Sequence, residues 1–263
     1  AHPIHTEVVC NIKSRDEIMA LLFGTLSMYA IWRYLDGKKA EWIAAALVSY
    51  GIAMFSKEGA IMFIFIFPLT MWFFTSKPLG EILKTAGLMV IPAAIFLMVR
   101  QSVLGNQQQQ EIYSILDNFM VGASNKAEQL ASAFMMCGKY LWTLIFPHPL
   151  VCDMGYPQFE PVGFDSWKAL LGFFVYLGMG VWALMNMGKK HILSFAILFY
   201  LICFSLFSNV LFLIGTSYGE RLQYMPSFGF ALALAWGICR WFKVDDLRSI
   251  WNPNGKGTAV WGI

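Results

Sequence analysis

Seven predominantly apolar segments occupy most of the chain and limit what it can fold into. A helix that crosses the hydrocarbon core of a bilayer needs about 20 mostly apolar residues. Asp, Glu, Lys and Arg make up only 13% of the 263 residues, whereas an ordinary soluble domain has roughly 25%. The sequence therefore predicts an all-α, polytopic membrane helix bundle. Its spanning segments are residues 18–35, 42–55, 60–74, 82–99, 167–187, 192–214 and 225–242.

The apolar stretch 42–75 is too long for one spanning helix. At 1.5 Å per residue it would extend about 51 Å, well beyond a hydrocarbon core of about 30 Å. The sequence SKEG at residues 56–59 contains the serine and glycine that favour a tight turn. The chain is therefore predicted to reverse there.

An eighth apolar stretch, residues 131–147, differs from the others because Lys139 lies at its centre. Lys126 and Glu128 stand just before it, so the segment is amphipathic. We predict that it lies in the membrane interface or forms a re-entrant segment, in addition to about seven spanning helices.

The positions of Lys and Arg in short loops predict the orientation of the helices, because such residues concentrate in cytoplasmic loops. The opening stretch, the SKEG turn, residues 100–166 and GTSYGER are then predicted to face the opposite side. We expect a membrane domain over residues 1–242 and a polar tail over 243–263, and we expect both to be an excerpt of a longer protein. The predicted cytoplasmic residues are Arg33, Lys38, Lys39, Lys77, Lys84, Lys189, Lys190, Arg240, Lys243, Arg248 and Lys256.

Ionisable residues of both signs gather on the predicted non-cytoplasmic side. Such residues at a membrane boundary are costly unless they are paired or solvated, so the cluster indicates a functional site. Its members are Glu7, Arg15, Asp16, Glu17, Lys57, Glu58, Asp153, Glu220 and Arg221.

The stretch SRDE has a structural interpretation for three of its four residues. Ser14 and Glu17 match a capping box, and Asp16 suits the positive end of a helix. Arg15 is unfavourable at that end and needs an anion to face.

Two neighbouring pairs of opposite charge lie in the other turns. Lys57 and Glu58 are expected to form an ion pair that stabilises the hairpin; alternatively, Glu58 holds the Lys57 cation at the edge of a cavity. Arg221 has a planar fork that suits phosphate oxygens, and Glu220 could hold that fork in place.

The stretch HPIHTE places His2, His5 and Glu7 close together. A metal site is conceivable, but the spacing is not a recognised zinc pattern and Pro3 argues against a helix there. We therefore predict anion or substrate binding without a metal. The chain has no basic run interleaved with aromatic residues, so nucleic acid is not an expected partner.

Arg15, Lys57 and Arg221, together with two histidines, suit the head group of a lipid-linked phosphate. A secondary transporter is one alternative, although it would need ionisable or unwound sites near the bilayer midplane and usually an internal repeat. A non-catalytic membrane scaffold is another, but it leaves the charged cluster unexplained.

Four ordered motifs resemble a known family: HPIHTEVVCNIKSRDE, SKEG, YLWTLIFPHPLVCDMGYPQ and GERLQYMPSFGF. They are similar to the membrane part of the transmembrane and tetratricopeptide-repeat proteins and their bacterial relatives, which are GT-C glycosyltransferases. The resemblance implies O-mannosylation of protein Ser/Thr from a dolichyl- or polyprenyl-phosphate sugar, with that donor as co-substrate and no other cofactor. It also implies a bacterial cytoplasmic membrane or endoplasmic reticulum membrane, with the active site facing the periplasm or lumen.

Carried over by position, the resemblance implies a set of residues that bind the donor phosphate or sugar. The acidic catalytic motif of the family is expected upstream of Ala1, and no tetratricopeptide repeat follows Phe242 in this sequence. Arg221 and Arg15 are the expected phosphate ligands, with Lys57 supporting and His5 donating a hydrogen bond. The full set is His2, His5, Glu7, Arg15, Lys57, Glu58, Glu220 and Arg221.

Overall fold

The computed structural model describes residues 2–105 and 113–242, and over these ranges the regular secondary structure is helical. Short 3-10 turns precede or join several of the helices. The tail at 243–263 lies outside the described residues. The helices are α1 (Thr6–Cys10), α2 (Arg15–Gly37), α3 (Ala40–Ser56), α4 (Phe63–Phe74), α5 (Leu79–Leu104), α6 (Lys126–Ile145), α7 (Trp167–Met187), α8 (Ile192–Ser205) and α9 (Ser227–Trp241).

Among the residues that the structure describes, three helical stretches are long and apolar enough to cross a membrane: Ile12–Gly37, Leu79–Leu104 and Trp167–Met187. Further apolar helices, including α3 and α8, are shorter than a full span. The predicted all-α membrane helix bundle is confirmed, and the chain is an integral membrane protein. The number of spans and the GT-C architecture stay predictions.

The predicted reversal at SKEG is confirmed. Helix α3 ends at Ser56, Lys57 adopts an extended conformation, and a 3-10 turn begins at Glu58. Across the reversal the Tyr50 ring contacts the Phe67 ring, with centroids 4.9 Å apart. Gly59 packs so closely on Phe207 that a Cβ there would lie 2.9 Å from the ring.

The apolar stretch 192–214 was predicted to be one helix, and this is wrong, because α8 ends at Ser205. Asn209 has a positive φ of 57° and interrupts the helical path. Its amide oxygen accepts hydrogen bonds from the Ile214 backbone N–H and from the Asn118 side chain, both at 2.9 Å. The Asn209 side chain thus supplies the hydrogen-bond acceptor for Ile214 that a backbone carbonyl would supply in a continuous helix.

Helix α6, the amphipathic eighth segment, is continuous and packs along α7. Its apolar face carries the fully buried Met136, Tyr140 and Leu144. At the contact with α7, Gly172 lies so close to the Phe134 carbonyl oxygen that a Cβ there would be 2.0 Å away. Where α6 lies relative to the membrane stays a prediction.

Several of the predicted cytoplasmic lysines meet at one end of the bundle. Lys38, at the end of α2, pairs with Glu81 at the start of α5. Lys190 donates to the Thr75 carbonyl at 2.7 Å. This end is about 34 Å from the first residue of α2, because α2 contains 23 residues at 1.5 Å each.

The α6–α7 contact can be tested by giving Gly172 a side chain. We expect Gly172→Ala to destabilise the folded protein by about 1–3 kcal/mol, since α6 and α7 must separate to admit the methyl group. The measurement is thermal unfolding of the detergent-purified protein. Gly178→Ala, in the same helix with nothing within 4 Å of the added Cβ, is the matched control and should not be destabilised. Equal stability of the two variants would contradict the packing described.

Candidate functional site

The first residues of the chain form a compact turn that docks on α6. His2 Nδ1 accepts from the Ile4 backbone N–H at 3.2 Å, which caps the Pro3–His5 turn, and His2 Nε2 lies 2.9 Å from the Leu144 carbonyl oxygen. Ile4 is fully buried beneath this turn. His2 therefore has contacts that position the N-terminal segment.

His5 faces the start of α9. Its Nε2 lies 2.8 Å from the Ser227 hydroxyl oxygen, and its ring meets the Tyr224 ring edge-on at 5.1 Å. Burial lowers the pKa of His5, and the neighbouring His2 lowers this pKa further. His5 is therefore suited to act as a neutral hydrogen-bonding group and not as a cation.

Glu7 holds Arg221 with both carboxylate oxygens. Oε1 accepts from Arg221 Nη1 at 2.9 Å, and Oε2 accepts from the Arg221 backbone N–H at 2.8 Å. The Cys152 thiol also donates to Oε1, at 3.2 Å. Burial opposes ionisation of Arg221, but Glu7 raises the pKa of the guanidinium above its ordinary value. The pair joins the N-terminal segment to the turn before α9.

Glu220 does not hold the Arg221 fork, contrary to the sequence prediction. Its carboxylate is buried and accepts a hydrogen bond from the Val151 backbone N–H. Burial raises the pKa of Glu220 above its ordinary value of 4.5. Glu220 and Arg221 are adjacent in this turn, but their side chains project in different directions. Adjacency in the sequence therefore did not identify the partner of Arg221.

The turn that carries Glu220 and Arg221 is positioned by two stacked tyrosines. The Tyr140 hydroxyl accepts from the Gly219 backbone N–H at 2.8 Å, and its ring stacks on Tyr218 with centroids 4.4 Å apart. The Tyr218 hydroxyl donates to Thr143 at 3.0 Å. These buried contacts fix the position of the Arg221 backbone.

Lys57 lies between two carboxylates from the start of α2. Its ammonium is 2.8 Å from Asp16 Oδ2 and 3.2 Å from Glu17 Oε1. The Glu17 side chain is only 2% exposed. Burial opposes protonation of Lys57, yet Glu17 and Asp16 raise its pKa above the ordinary value of 10.5. The cation is therefore fixed in its charged form at the end of the bundle.

Two sequence interpretations near Lys57 are corrected by these contacts. Ser14 makes no side-chain capping hydrogen bond, and Glu17 faces Lys57, so the predicted capping box does not form. Glu58 pairs with Arg100 of α5 at 3.2 Å and not with Lys57. The Lys57 ammonium pairs with the less exposed carboxylates of Asp16 and Glu17, whereas the Glu58 carboxylate remains at the surface.

Arg15 is exposed and has no ion pair within the ranges that the structure describes. The anion that Arg15 was predicted to face is not among the described side chains, so that role stays a prediction. Helix α1, which carries Glu7, contacts both α2 and the turn Glu220–Gln223. The structure thus brings Lys57 and Arg221 to one region, with Asp16 and Glu17 facing Lys57 and Glu7 facing Arg221.

Sequence analysis missed Asp16 and Glu17 as the partners of Lys57, and Ser227 as the partner of His5. The sequence did indicate Asp16 and Glu17, because SRDE places two carboxylates at a helix end. A role in capping that helix already accounted for both, so no distant partner was sought.

Among the described residues, no group of three or more His, Cys, Asp or Glu side chains could hold a metal ion. The role of the eight predicted site residues in binding a donor stays a prediction.

Comparison with known proteins agrees with the resemblance. The sequence profile of the dolichyl-phosphate-mannose-protein mannosyltransferase family matches residues 16–103. The chain is 28% identical over 276 residues to human (Homo sapiens) protein O-mannosyl-transferase TMTC3, an alignment that covers 93% of the chain and 29% of the relative. The mouse (Mus musculus) protein is 27% identical over 277 residues, with the same coverage. No solved structure matches the chain.

These findings confirm the resemblance inferred from the four motifs. The family match covers the region from α2 to α5, and the similarity to TMTC3 extends over 93% of the chain. It spans about 29% of the length of the curated relatives that it matches.

Burial of Glu220 predicts a pH-dependent contribution to stability. Its raised pKa means that the folded state binds the proton more tightly than the unfolded state, so this contribution falls as pH rises through 4.5 and the folded pKa. Glu220→Gln keeps an acceptor for Val151 and removes the charge. We expect the melting temperature of the variant, relative to wild type, to rise between about pH 4 and about pH 7.5.

The matched control is Glu160→Gln, since Glu160 is an exposed glutamate. Its melting temperature relative to wild type should change little over the same pH range. If the difference in melting temperature between Glu220→Gln and wild type were also independent of pH, burial would not raise the pKa of Glu220 as described.

Proposed function

We propose that this chain is the membrane part of a mannosyltransferase that transfers mannose from a polyprenyl- or dolichyl-phosphate donor to a Ser/Thr hydroxyl of an acceptor protein. The reaction takes place on the non-cytoplasmic side, in a periplasm or in the endoplasmic reticulum lumen. The observation that carries the proposal is that Lys57 and Arg221, which are far apart in sequence, each bind carboxylates at the end of the bundle where α1 contacts both α2 and the turn Glu220–Gln223. The mannosyltransferase-family match over residues 16–103 supports it.

Both cations keep donors for a phosphate. A guanidinium has five N–H donors, and the Arg221 side chain uses Nη1 for Glu7. An ammonium has three donors, and Asp16 and Glu17 lie against Lys57. The carboxylates thus fix each cation while leaving part of it available to a ligand.

The proposed step is a single displacement. The acceptor hydroxyl oxygen forms a bond to the anomeric carbon, the bond from that carbon to the phosphate oxygen breaks, and the hydroxyl proton passes to a carboxylate base expected upstream of Ala1. Negative charge develops on the departing lipid phosphate. Cations that are already in place there stabilise the transition state more than the ground state.

The remaining predicted residues have distinct roles in this scheme. Arg15, exposed and without an ion pair in the described chain, is the third cation that approaches the phosphate. His5 is a neutral hydrogen-bonding group for the sugar or phosphate. His2 and Glu7 position the segment, whereas Glu58 and Glu220 face other partners.

The role of the guanidinium fork is tested by Arg221→Lys in the full-length protein. A lysine keeps the charge opposite Glu7 but cannot donate from a planar fork. We expect mannose transfer to fall by about 10²-fold, with a melting temperature close to that of wild type. Transfer is measured with a radiolabelled polyprenyl-phosphate mannose and an acceptor peptide.

The matched control is Arg33→Lys, because Arg33 lies near the other end of α2, where its guanidinium stands over the Trp42 ring at 5.2 Å. This variant should transfer mannose at the wild-type rate. Near-normal turnover by folded Arg221→Lys would count against Arg221 as a phosphate ligand.

Arg15 gives a second test that does not disturb the fold. Because Arg15 is exposed, we expect Arg15→Gln to leave the melting temperature unchanged while weakening donor binding severalfold, as for loss of one charge-assisted contact. Binding is measured by titrating the purified protein with polyprenyl-phosphate mannose. Lys13→Gln, two residues away and also exposed, should bind like wild type; an equal loss in both variants would indicate only a general effect of surface charge.

A further inference from the structure

A groove of about 790 Å³ lies between α6 and α7, and neither Lys57 nor Arg221 lines it. We call it the α6–α7 groove. Apolar side chains form most of its walls, and two lysines also line it. The residues that matter here are Met135, Lys139, Trp142, Trp167, Lys168 and Leu171.

The shape of the groove follows from the close contact of the two helices. A Cβ at Gly138 would lie 3.5 Å from the Gly172 Cα, so the backbones meet there without intervening side chains. Both glycines line the groove. Beside them the longer side chains of the two helices flank an elongated apolar space, which suits a hydrocarbon chain.

The two lysines in this apolar space lack a bound carboxylate. Neither Lys139 nor Lys168 has an ion pair within 4.0 Å in the described part of the chain; aromatic rings face them instead. The Lys139 ammonium stands 5.3 Å from the Tyr218 ring centroid, and the Lys168 ammonium stands 5.9 Å from the Trp167 ring centroid. Both lysines line this one groove.

Two neighbouring ammonium groups repel each other, and an anion between them removes that repulsion. A hydrated ion would satisfy the charge but not the apolar walls. A lipid satisfies both, because its phosphate meets the lysines and its chain lies along Met135 and Leu171. The Gln158 side chain also lines the groove and adds an amide for a phosphate ester.

We propose that the α6–α7 groove binds a membrane phospholipid with an anionic phosphate head group, held by Lys139 and Lys168 and distinct from the sugar donor. That the lipid is distinct from the sugar donor rests on the proposed function, which assigns the donor phosphate to Lys57, Arg15 and Arg221.

The test compares lipid adducts of the full-length protein by native mass spectrometry, in mixed phosphatidylglycerol and phosphatidylcholine. Wild type should retain phosphatidylglycerol preferentially. The double variant Lys139→Gln/Lys168→Gln should lower the ratio of phosphatidylglycerol to phosphatidylcholine by about tenfold, as two cation contacts near a membrane surface are lost. Leu171→Trp, which fills the apolar part, should reduce both adducts.

The matched control is Lys126→Gln/Lys189→Gln, which removes two exposed lysines outside the groove. It should keep the wild-type ratio. Retained preference in Lys139→Gln/Lys168→Gln, or an equal loss in the control, would overturn the proposal. Displacement of phosphatidylglycerol by polyprenyl phosphate at equal concentration would also overturn it, because the groove would then belong to the donor. Arg221→Lys should keep phosphatidylglycerol binding whether or not it transfers mannose, so the two proposals fail separately.

Discussion

The position of Lys57 between Asp16 and Glu17 is the interaction on which this end of the bundle depends. An ammonium at the end of an apolar helix bundle cannot be left without counter-charges, and removal of one partner of a buried pair is strongly destabilising. The two carboxylates lie at the start of α2, while the lysine follows α3. The contact therefore fixes the register of these two helices as well as the location of a cation.

A second set of contacts adds the ends of the chain to the same region. Glu7 comes from the N-terminal segment, and Arg221 comes from the turn before α9. His2 and His5 secure that segment against α6 and α9. The region thus draws on parts of the chain far apart in sequence, so it is complete only when the whole bundle has assembled.

The fold was largely predictable from the sequence, but the contacts within the charged region were not. Apolar length and composition located the helices, and helix geometry required the reversal at SKEG. The end of α8 was missed because a single asparagine, Asn209, interrupts an otherwise apolar run and supplies its own hydrogen bonds. Lys57 and Arg221 were given partners beside them in sequence, yet both bind carboxylates from distant segments, which no local pattern encodes. The charged residues could be named from the sequence, but their pairing depended on tertiary packing.

The turn that contains Glu220 and Arg221 joins two other segments of the chain. Arg221 binds Glu7 of the N-terminal segment, whereas Glu220 accepts a hydrogen bond from the Val151 backbone N–H in the connection between α6 and α7. Because Glu220 and Arg221 are adjacent, a rotation of this turn would disturb the Val151 contact and the Glu7 contact together, so neither segment can shift on the turn without affecting the other.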